Sequence, residues 1–322
     1  MQKKLDVIIV GAGPIGLSCG IEAVKNHLSY LIIEKGCLVN SMYHYPTNMT
    51  FFSTSDRLEI GDIPFVSHGD KPTRREALEY YRRVKNSWNL NVNTFEEVIN
   101  IEREQELFIV TTNKEKYSSK FVVISTGYYD NPNLLNVPGE NLPKVKHYFD
   151  EAHPYAYRKV LIIGGGNSAV DVALETFRKG SDVTMVIKED KLKDGIKYWV
   201  RPDIDNRIKE GSIKAFFNSE VIRIEENNVE VKTPNANVVI LNDFVFAMTG
   251  YHPNFDFLKK LKIDLCSNEM MIPKYDAQTF ESNERNIFLA GVVCCGMDTS
   301  KLFIENSRDH ALKIFEAIKK RA

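Results

Sequence analysis

One pattern of apolar and polar positions occurs twice along the chain. At residues 5–10 (LDVIIV) a short unbroken apolar run stops at a glycine cluster, and apolar residues then recur at helical spacing through Leu17, Ile21 and Val24. A second β-rich run, Tyr30 to Ile33, ends at Glu34. The order strand, turn, helix, strand is a βαβ unit of about 30 residues. At 159–163 KVLII leads into GGGNSA, a helix carries Val170, Val172, Ala173, Leu174 and Phe177, and Val183 to Ile187 forms the next strand. Both leading runs read as strands buried inside a parallel sheet.

The remaining pattern predicts mixed loop over 35–75, a helix over 74–88, and strand-like runs near 91–111 and 120–125. A polar helical region (200–210) follows the second unit, with strands at 213–224, 229–232 and 238–247. Beyond Gly250 come PNFDFL, a strand over 287–293 (IFLAGVV) and a closing amphipathic helix from 302 to 320. No Gly/Ser linker separates these segments, so the domains are expected to interleave rather than follow one another.

At 322 residues the chain is long enough for about two domains with substantial cores, which excludes a small stapled scaffold. Forty-two Lys and Arg against 43 Asp and Glu leave a net charge of −1, so nothing draws the chain onto nucleic acid or an anionic membrane. Hydrophobic residues at 43% and charged residues at 26% are those of an ordinary globular protein. Cys19, Cys37, Cys266, Cys294 and Cys295 are odd in number and irregularly spaced behind no secretory leader, which points to a reducing compartment, the cytoplasm. The run Val7 to Val10 falls far short of the roughly 20 residues that span a bilayer.

The two glycine clusters carry the chemistry. In GAGPIG, Gly11 permits the tight turn, Gly13 lets backbone approach a pyrophosphate, Pro14 opens the helix, and Gly16 lets it pack on the strand. The helix N-terminus then faces the phosphates. Glu34, at the end of the next strand, would accept hydrogen bonds from ribose hydroxyls and repel a 2′-phosphate, which suits FAD or NAD. In GGGNSA the corresponding positions are Gly164, Gly166, Asn167, Ser168 and Ala169, but the next strand ends at Lys188, with Lys191 and Lys193 close behind. A cation there fits a 2′-phosphate, so this unit reads as an NADPH site, although Glu189 and Asp190 sit beside it. Two different dinucleotides on one chain imply hydride transfer from NADPH to FAD and on to a small-molecule electron acceptor.

These loops, with STG at Ser125 to Gly127, MTGYHPN at 248–254 and NIFLAGV at 286–292, resemble the two-dinucleotide flavoprotein reductases of the low-molecular-weight thioredoxin reductase branch. The resemblance covers nearly the whole chain. It implies an α/β fold of two Rossmann-like (three-layer ββα) domains, with an NADPH domain (129–248) inserted into an FAD domain (1–128 and 249–322). Further candidate cofactor contacts are Lys35, Tyr45, Phe52, Val98, Thr126, Gly127, Gly250, Gly291 and Val292. The segments IIEKG, YPTNMTFFSTSDRLEIGDIPF, STGYYDNPN, PKVKHYF with EAHPY, and FAMTGYHP are most similar to the YpdA-type bacillithiol disulfide reductases. That likeness implies an FAD-bound, NADPH-dependent oxidoreductase acting on a low-molecular-weight disulfide, and its branch implies a homodimer or homotetramer. The chain departs from that group at Ile15, where a cysteine is common. It departs from thioredoxin reductases in having no cysteine in 129–248, and in Val292 following Gly291 where an aspartate is usual.

Candidate catalytic residues are Cys294 and Cys295, a vicinal pair that would exchange with a disulfide or else simply end a strand as small buried side chains. His147, with His44 and His153, is a candidate proton donor, against the alternative of ordinary surface histidines. Tyr43, Tyr45, Phe51, Phe52, Tyr128 and Tyr129 would stack near a flavin or pack a core, and Ser53, Ser55 and Asp56 would bond the cofactor or cap a loop. No His or Cys spacing suits a metal. Alternative functions are a flavin-dependent monooxygenase, suggested by FFSTSD and His147, a ferredoxin or flavodoxin reductase, and a redox-responsive binding protein.

Overall fold

The computed structural model describes residues 3–321. The chain opens with β1 (Lys3–Val10), α1 (Pro14–Lys25), β2 (Tyr30–Ile33), α2 (Asn40–Tyr43), α3 (Arg74–Ser87), β3 (Val92–Asn93), β4 (Val98–Glu104), β5 (Leu107–Thr112) and β6 (Lys116–Ile124). Next come β7 (Val145–Lys146), β8 (Lys159–Ile163), α4 (Asn167–Phe177), β9 (Asp182–Val186), α5 (Arg201–Lys209), β10 (Lys214–Phe216) and β11 (Glu220–Ile224). The last elements are β12 (Asn228–Lys232), β13 (Asn237–Leu241), β14 (Phe244–Ala247), α6 (Phe255–Lys260), β15 (Ile287–Leu289), α7 (Ile304–Ser307) and α8 (His310–Lys319).

They form two compact units. The first takes the chain up to His44, Met49–Asn131 and everything from Tyr251 on, and the second takes Tyr45–Asn48 and Pro132–Gly250. The second is thus inserted in the first, with bounds a few residues beyond the motif ends at 128 and 248. The shift has a local cause: Asn133 donates its N–H to Gly250 O (2.9 Å) and its side-chain amide to Thr249 O (3.1 Å), so residues 249 and 250 stay with the second unit.

In the first unit the strands run β3-β2-β1-β6-β5-β4, with β15 added on β6. β3, β2, β1, β6 and β15 are parallel, whereas β4, β5 and β6 pair antiparallel. Val7 to Val10 and Phe121 to Ile124 are buried throughout, because a central parallel strand is covered on both faces and has no polar side to alternate with. The second unit has a parallel sheet β10-β9-β8-β14-β7 and a separate antiparallel sheet β11-β12-β13. Alternation along β8 divides its core: Val160 and Ile162 join the side chains of α4, while Leu161 and Ile163 meet Val229 and Val231 of the antiparallel sheet. Helix, parallel sheet and second sheet are therefore three layers, the Rossmann-like α/β arrangement.

Four expected elements are corrected. The strand over 287–293 ends at Leu289, and Gly291–Cys295 form a 3-10 turn. Ala290 N–H still reaches Ile124 O (2.9 Å), but Gly291 N–H turns away to the His310 ring, so the ladder stops. The closing helix over 302–320 is two helices, α7 and α8, separated at Arg308, whose guanidinium reaches Glu59 O (2.8 Å). The runs at 213–224 and 238–247 each divide into two strands, with Asn218 and Asn242 in the turns between them.

Candidate nucleotide and flavin sites

The two glycine loops are built alike. Gly11 has φ of 104°, and a Cβ there would lie 2.6 Å from Ser125 O; Gly164 has φ of 126°, and a Cβ would lie 2.5 Å from Met248 O. Each first glycine therefore crosses the end of the neighbouring strand, β6 or β14, where any side chain would collide with backbone. Gly13 and Gly166 are the N-caps of α1 and α4, both extended, and no side chain caps either helix. The space beyond Gly13 is open, and Gly166 meets only Lys193 Cδ at 3.7 Å. A helix head with exposed amides and no competing side chain is a phosphate cradle, so both loops fit a dinucleotide. Pro14 sits in the first turn of α1. A Cβ on Gly16 would lie 1.9 Å from Gly11 O, which keeps α1 tight on its strand. Ser125 Oγ donates to Val10 O (2.9 Å) and Gly11 O (3.0 Å), locking that first turn.

Glu34 is 7% exposed, and its two carboxylate oxygens accept the N–H groups of Ala12 (2.8 Å) and Gly36 (2.9 Å). Burial pushes its carboxyl above the usual range, while those two donors pull it back. Each oxygen keeps a second lone pair for an outside hydroxyl. Lys35 Nζ pairs with Asp130 (3.0 Å). The segment that reaches Val98 is tied to the same strand end: Glu34 donates its N–H to Asn93 O and Glu96 donates its N–H to Glu34 O, each at 2.9 Å. The Glu96 carboxylate is buried, accepting from Thr112 Oγ1 (2.7 Å), Tyr117 OH (2.9 Å) and Asn93 Nδ2 (2.8 Å).

Thr126 and Gly127 follow β6, half-buried, with open space beside Gly127. Phe52 is exposed, with Lys71 Nζ 5.2 Å from its ring. Tyr45 belongs to the second unit, where Thr47 N–H bonds Asp150 O (2.8 Å). Gly291 gives its N–H to His310 Nδ1 (3.1 Å), and Val292 lies half-buried next to it. His310 is buried and stacked on Phe280 (centroids 3.9 Å apart), and burial, helped by Lys313, holds its imidazole down at about 4. It is therefore a neutral acceptor at Nδ1.

In the second unit, Asn167 is held at both ends of its amide: Nδ2 donates to Gly195 O (2.8 Å) and Oδ1 accepts from Lys197 N–H (2.9 Å). Lys193 N–H bonds Gly165 O (3.0 Å), Lys197 pairs with Asp171 (2.7 Å), and Ser168 is exposed. The segment after β9 is thereby strapped over the head of α4. Lys188 Nζ lies 2.9 Å from Glu220 Oε1. Gly250 abuts Asn133, whose Nδ2 would be 3.3 Å from an added Cβ.

The candidate catalytic residues fall in different units. His147 lies in the second unit, its Nε2 3.5 Å from Glu140 Oε1, whereas Cys294 and Cys295 lie in the first. Both cysteines are buried in the 3-10 turn, and burial pushes each thiol up, away from the thiolate that exchange requires. Among the described residues no cluster suits a metal, and no helix is long and apolar enough to cross a membrane. His310, Glu96 and Glu220 were not singled out by the sequence, and nothing adjacent to them in the chain marks their partners.

The family described as "Pyridine nucleotide-disulphide oxidoreductase" matches residues 8–291. The bacilliredoxin reductase Bdr of Bacillus subtilis is 44% identical, covering 100% of this chain and 99% of that protein. The solved bacillithiol disulfide reductase Bdr (YpdA) of Staphylococcus aureus is 44% identical with a TM-score of 0.97 and 100% coverage of both chains. Its Bacillus cereus counterpart is 43% identical with a TM-score of 0.97, covering 99% of this chain and 100% of that one. The chain accordingly belongs to the pyridine nucleotide-disulphide oxidoreductase family, in its YpdA-type group, and is an FAD- and NADPH-dependent flavoprotein oxidoreductase of the disulfide-reducing kind.

Proposed function

We propose that the enzyme reduces the disulfide of a low-molecular-weight thiol, that of bacillithiol, by the balanced reaction RSSR + NADPH + H⁺ → 2 RSH + NADP⁺. The observation that carries this is the 44% identity, over the full length of both chains, to a protein described as a bacillithiol disulfide reductase. FAD, when bound, supplies the two-electron carrier between nicotinamide and disulfide. The chain's own residues hold and orient the two dinucleotides. The head of α1 with Gly11, Gly13, Pro14 and Gly16 receives the FAD pyrophosphate, and Glu34 accepts from the ribose hydroxyls with its remaining lone pairs. Ser125, Thr126, Gly127, Gly291 and Val292 border the same cofactor by backbone. The head of α4, with Gly164, Gly166, Asn167 and Ser168, receives the NADPH pyrophosphate, and Lys188 meets the 2′-phosphate. Cys294 and Cys295 are assigned to packing rather than to exchange, on the ground that both are buried in the turn after β15.

The test is anaerobic reduction by NADPH followed by mixing with bacillithiol disulfide, oxidised glutathione, a bacilliredoxin mixed disulfide, ferredoxin or a quinone while flavin absorbance recovers. Recovery with bacillithiol disulfide is expected. Recovery with ferredoxin or quinone alone overturns the substrate. The same reading places the enzyme in the cytoplasm as a homodimer or homotetramer, and a monomer mass by light scattering overturns the latter.

A further inference from the structure

We propose that Glu220 sets the enzyme's preference between NADPH and NADH by holding, as an internal carboxylate, the Lys188 ammonium that a ribose 2′-phosphate would use. This rests on the reading of Lys188 as the 2′-phosphate cation. The pairing is fixed by backbone and does not depend on the reach of two long side chains alone. Ile187 N–H bonds Phe216 O (2.9 Å), Ser219 N–H bonds Ile187 O (3.0 Å), and Asn218 N–H bonds Glu189 O (3.0 Å). These three bonds lay residues 187–189 against 216–219, so Glu220, the first residue of β11, is delivered beside Lys188. Glu220 also stands across the ladder from Lys232.

Nearby charge accentuates the effect. Lys191 is taken by Asp194 (2.9 Å), and Glu189 Oε2 approaches the second glycine loop, 3.9 Å from where a Cβ of Gly165 would be. The Lys188–Glu220 pair is open to water, with 78% of the Lys188 side chain and 50% of the Glu220 side chain exposed. An exposed pair is weak, so a dianionic phosphate displaces the carboxylate. The displaced carboxylate remains anchored a few ångströms away and repels the phosphate. A nucleotide without the 2′-phosphate meets no such opposition. Glu220 thus narrows the gap between the two nicotinamide nucleotides that Lys188 opens.

Equilibrium binding of 2′,5′-ADP and 5′-AMP to the FAD-loaded enzyme, by calorimetry, reads this without turnover. Glu220→Gln is expected to tighten 2′,5′-ADP by about 3–10-fold at low salt, with 5′-AMP changed by less than about twofold. The gain should shrink at high salt, where the Debye length falls to a few ångströms. Lys188→Gln is expected to weaken 2′,5′-ADP about tenfold and to reduce the gain from Glu220→Gln in the double variant. If Lys188→Gln weakens 2′,5′-ADP but Glu220→Gln leaves it unchanged, or tightens both ligands equally, the proposal is overturned while the Lys188 reading stands. If Lys188→Gln has no effect, the nucleotide reading falls and the proposal with it.

Discussion

His310 offers the most quantitative check on the architecture around Gly291. Its ring is buried, stacked on Phe280 and accepting the Gly291 N–H, with an imidazole held at about 4 against an ordinary 6.5. Between those two values the unfolded chain binds a proton that the folded chain refuses, so stability is full above pH 6.5 and is lost as pH falls toward 4. At pH 5 the linkage amounts to about 2 kcal/mol, a sizeable part of the roughly 5–15 kcal/mol that holds a typical protein folded. Asparagine cannot titrate, and its Oδ1 can stand where Nδ1 stands. His310→Asn should therefore be less stable than wild type at pH 7, through lost stacking, yet lose about 2 kcal/mol less on going from pH 7 to pH 5. Urea unfolding at the two pH values, in constant excess FAD, gives the comparison. Replacing Trp199 by Phe in both proteins leaves Trp88, whose Nε1 bonds Gly61 O (2.8 Å), as the single tryptophan reporter and one within the first unit. A difference in pH dependence below about 0.5 kcal/mol would refute the neutral, buried acceptor and with it the account of how Gly291 leaves the ladder.

The proposed assignment of one cofactor to each glycine loop is tested by two variants. Gly11→Ala, with its Cβ 2.6 Å from Ser125 O, should purify with little flavin, whereas Gly164→Ala, 2.5 Å from Met248 O, should stay yellow and lose 2′,5′-ADP binding; absorbance ratio and calorimetry distinguish them. Under native conditions a thiol reagent should modify exposed Cys266 quickly and leave Cys19 and Cys294 untouched until the protein unfolds. Rapid native modification of Cys294 with loss of disulfide turnover would restore it as a catalytic thiol. Glu96→Gln turns an oxygen that accepts from Thr112, Tyr117 or Asn93 into a donor, which should cost about 1.5–3 kcal/mol in urea unfolding, and a neutral result would show that the polar cluster does not hold β3 and β4.

Local features were readable along the chain. Two strand-turn-helix units were legible because Gly11 and Gly164, and the helix heads that follow them, are constrained by a handful of adjacent residues, and the unbroken apolar runs of β1 and β8 announce strands covered on both faces. The difference between Glu34 and Lys188 was legible for the same reason, each standing just past the end of a strand, after β2 and after β9. Which distant side chains share a space follows only once the fold is assembled. Adjacent cysteines at the end of an apolar run read as an exchanging pair or as packing, and the chain alone does not show that both are buried in the turn after β15. His310 meets Gly291 because α8 returns to the end of β15, Glu96 gathers donors from β3, β5 and β6, and Glu220 reaches Lys188 because the backbone beyond β10 pairs with the residues after β9. Desolvation, hydrogen bonding and charge depend on neighbours in space, and the spacing of residues along a chain carries no record of them until the sheets are assembled.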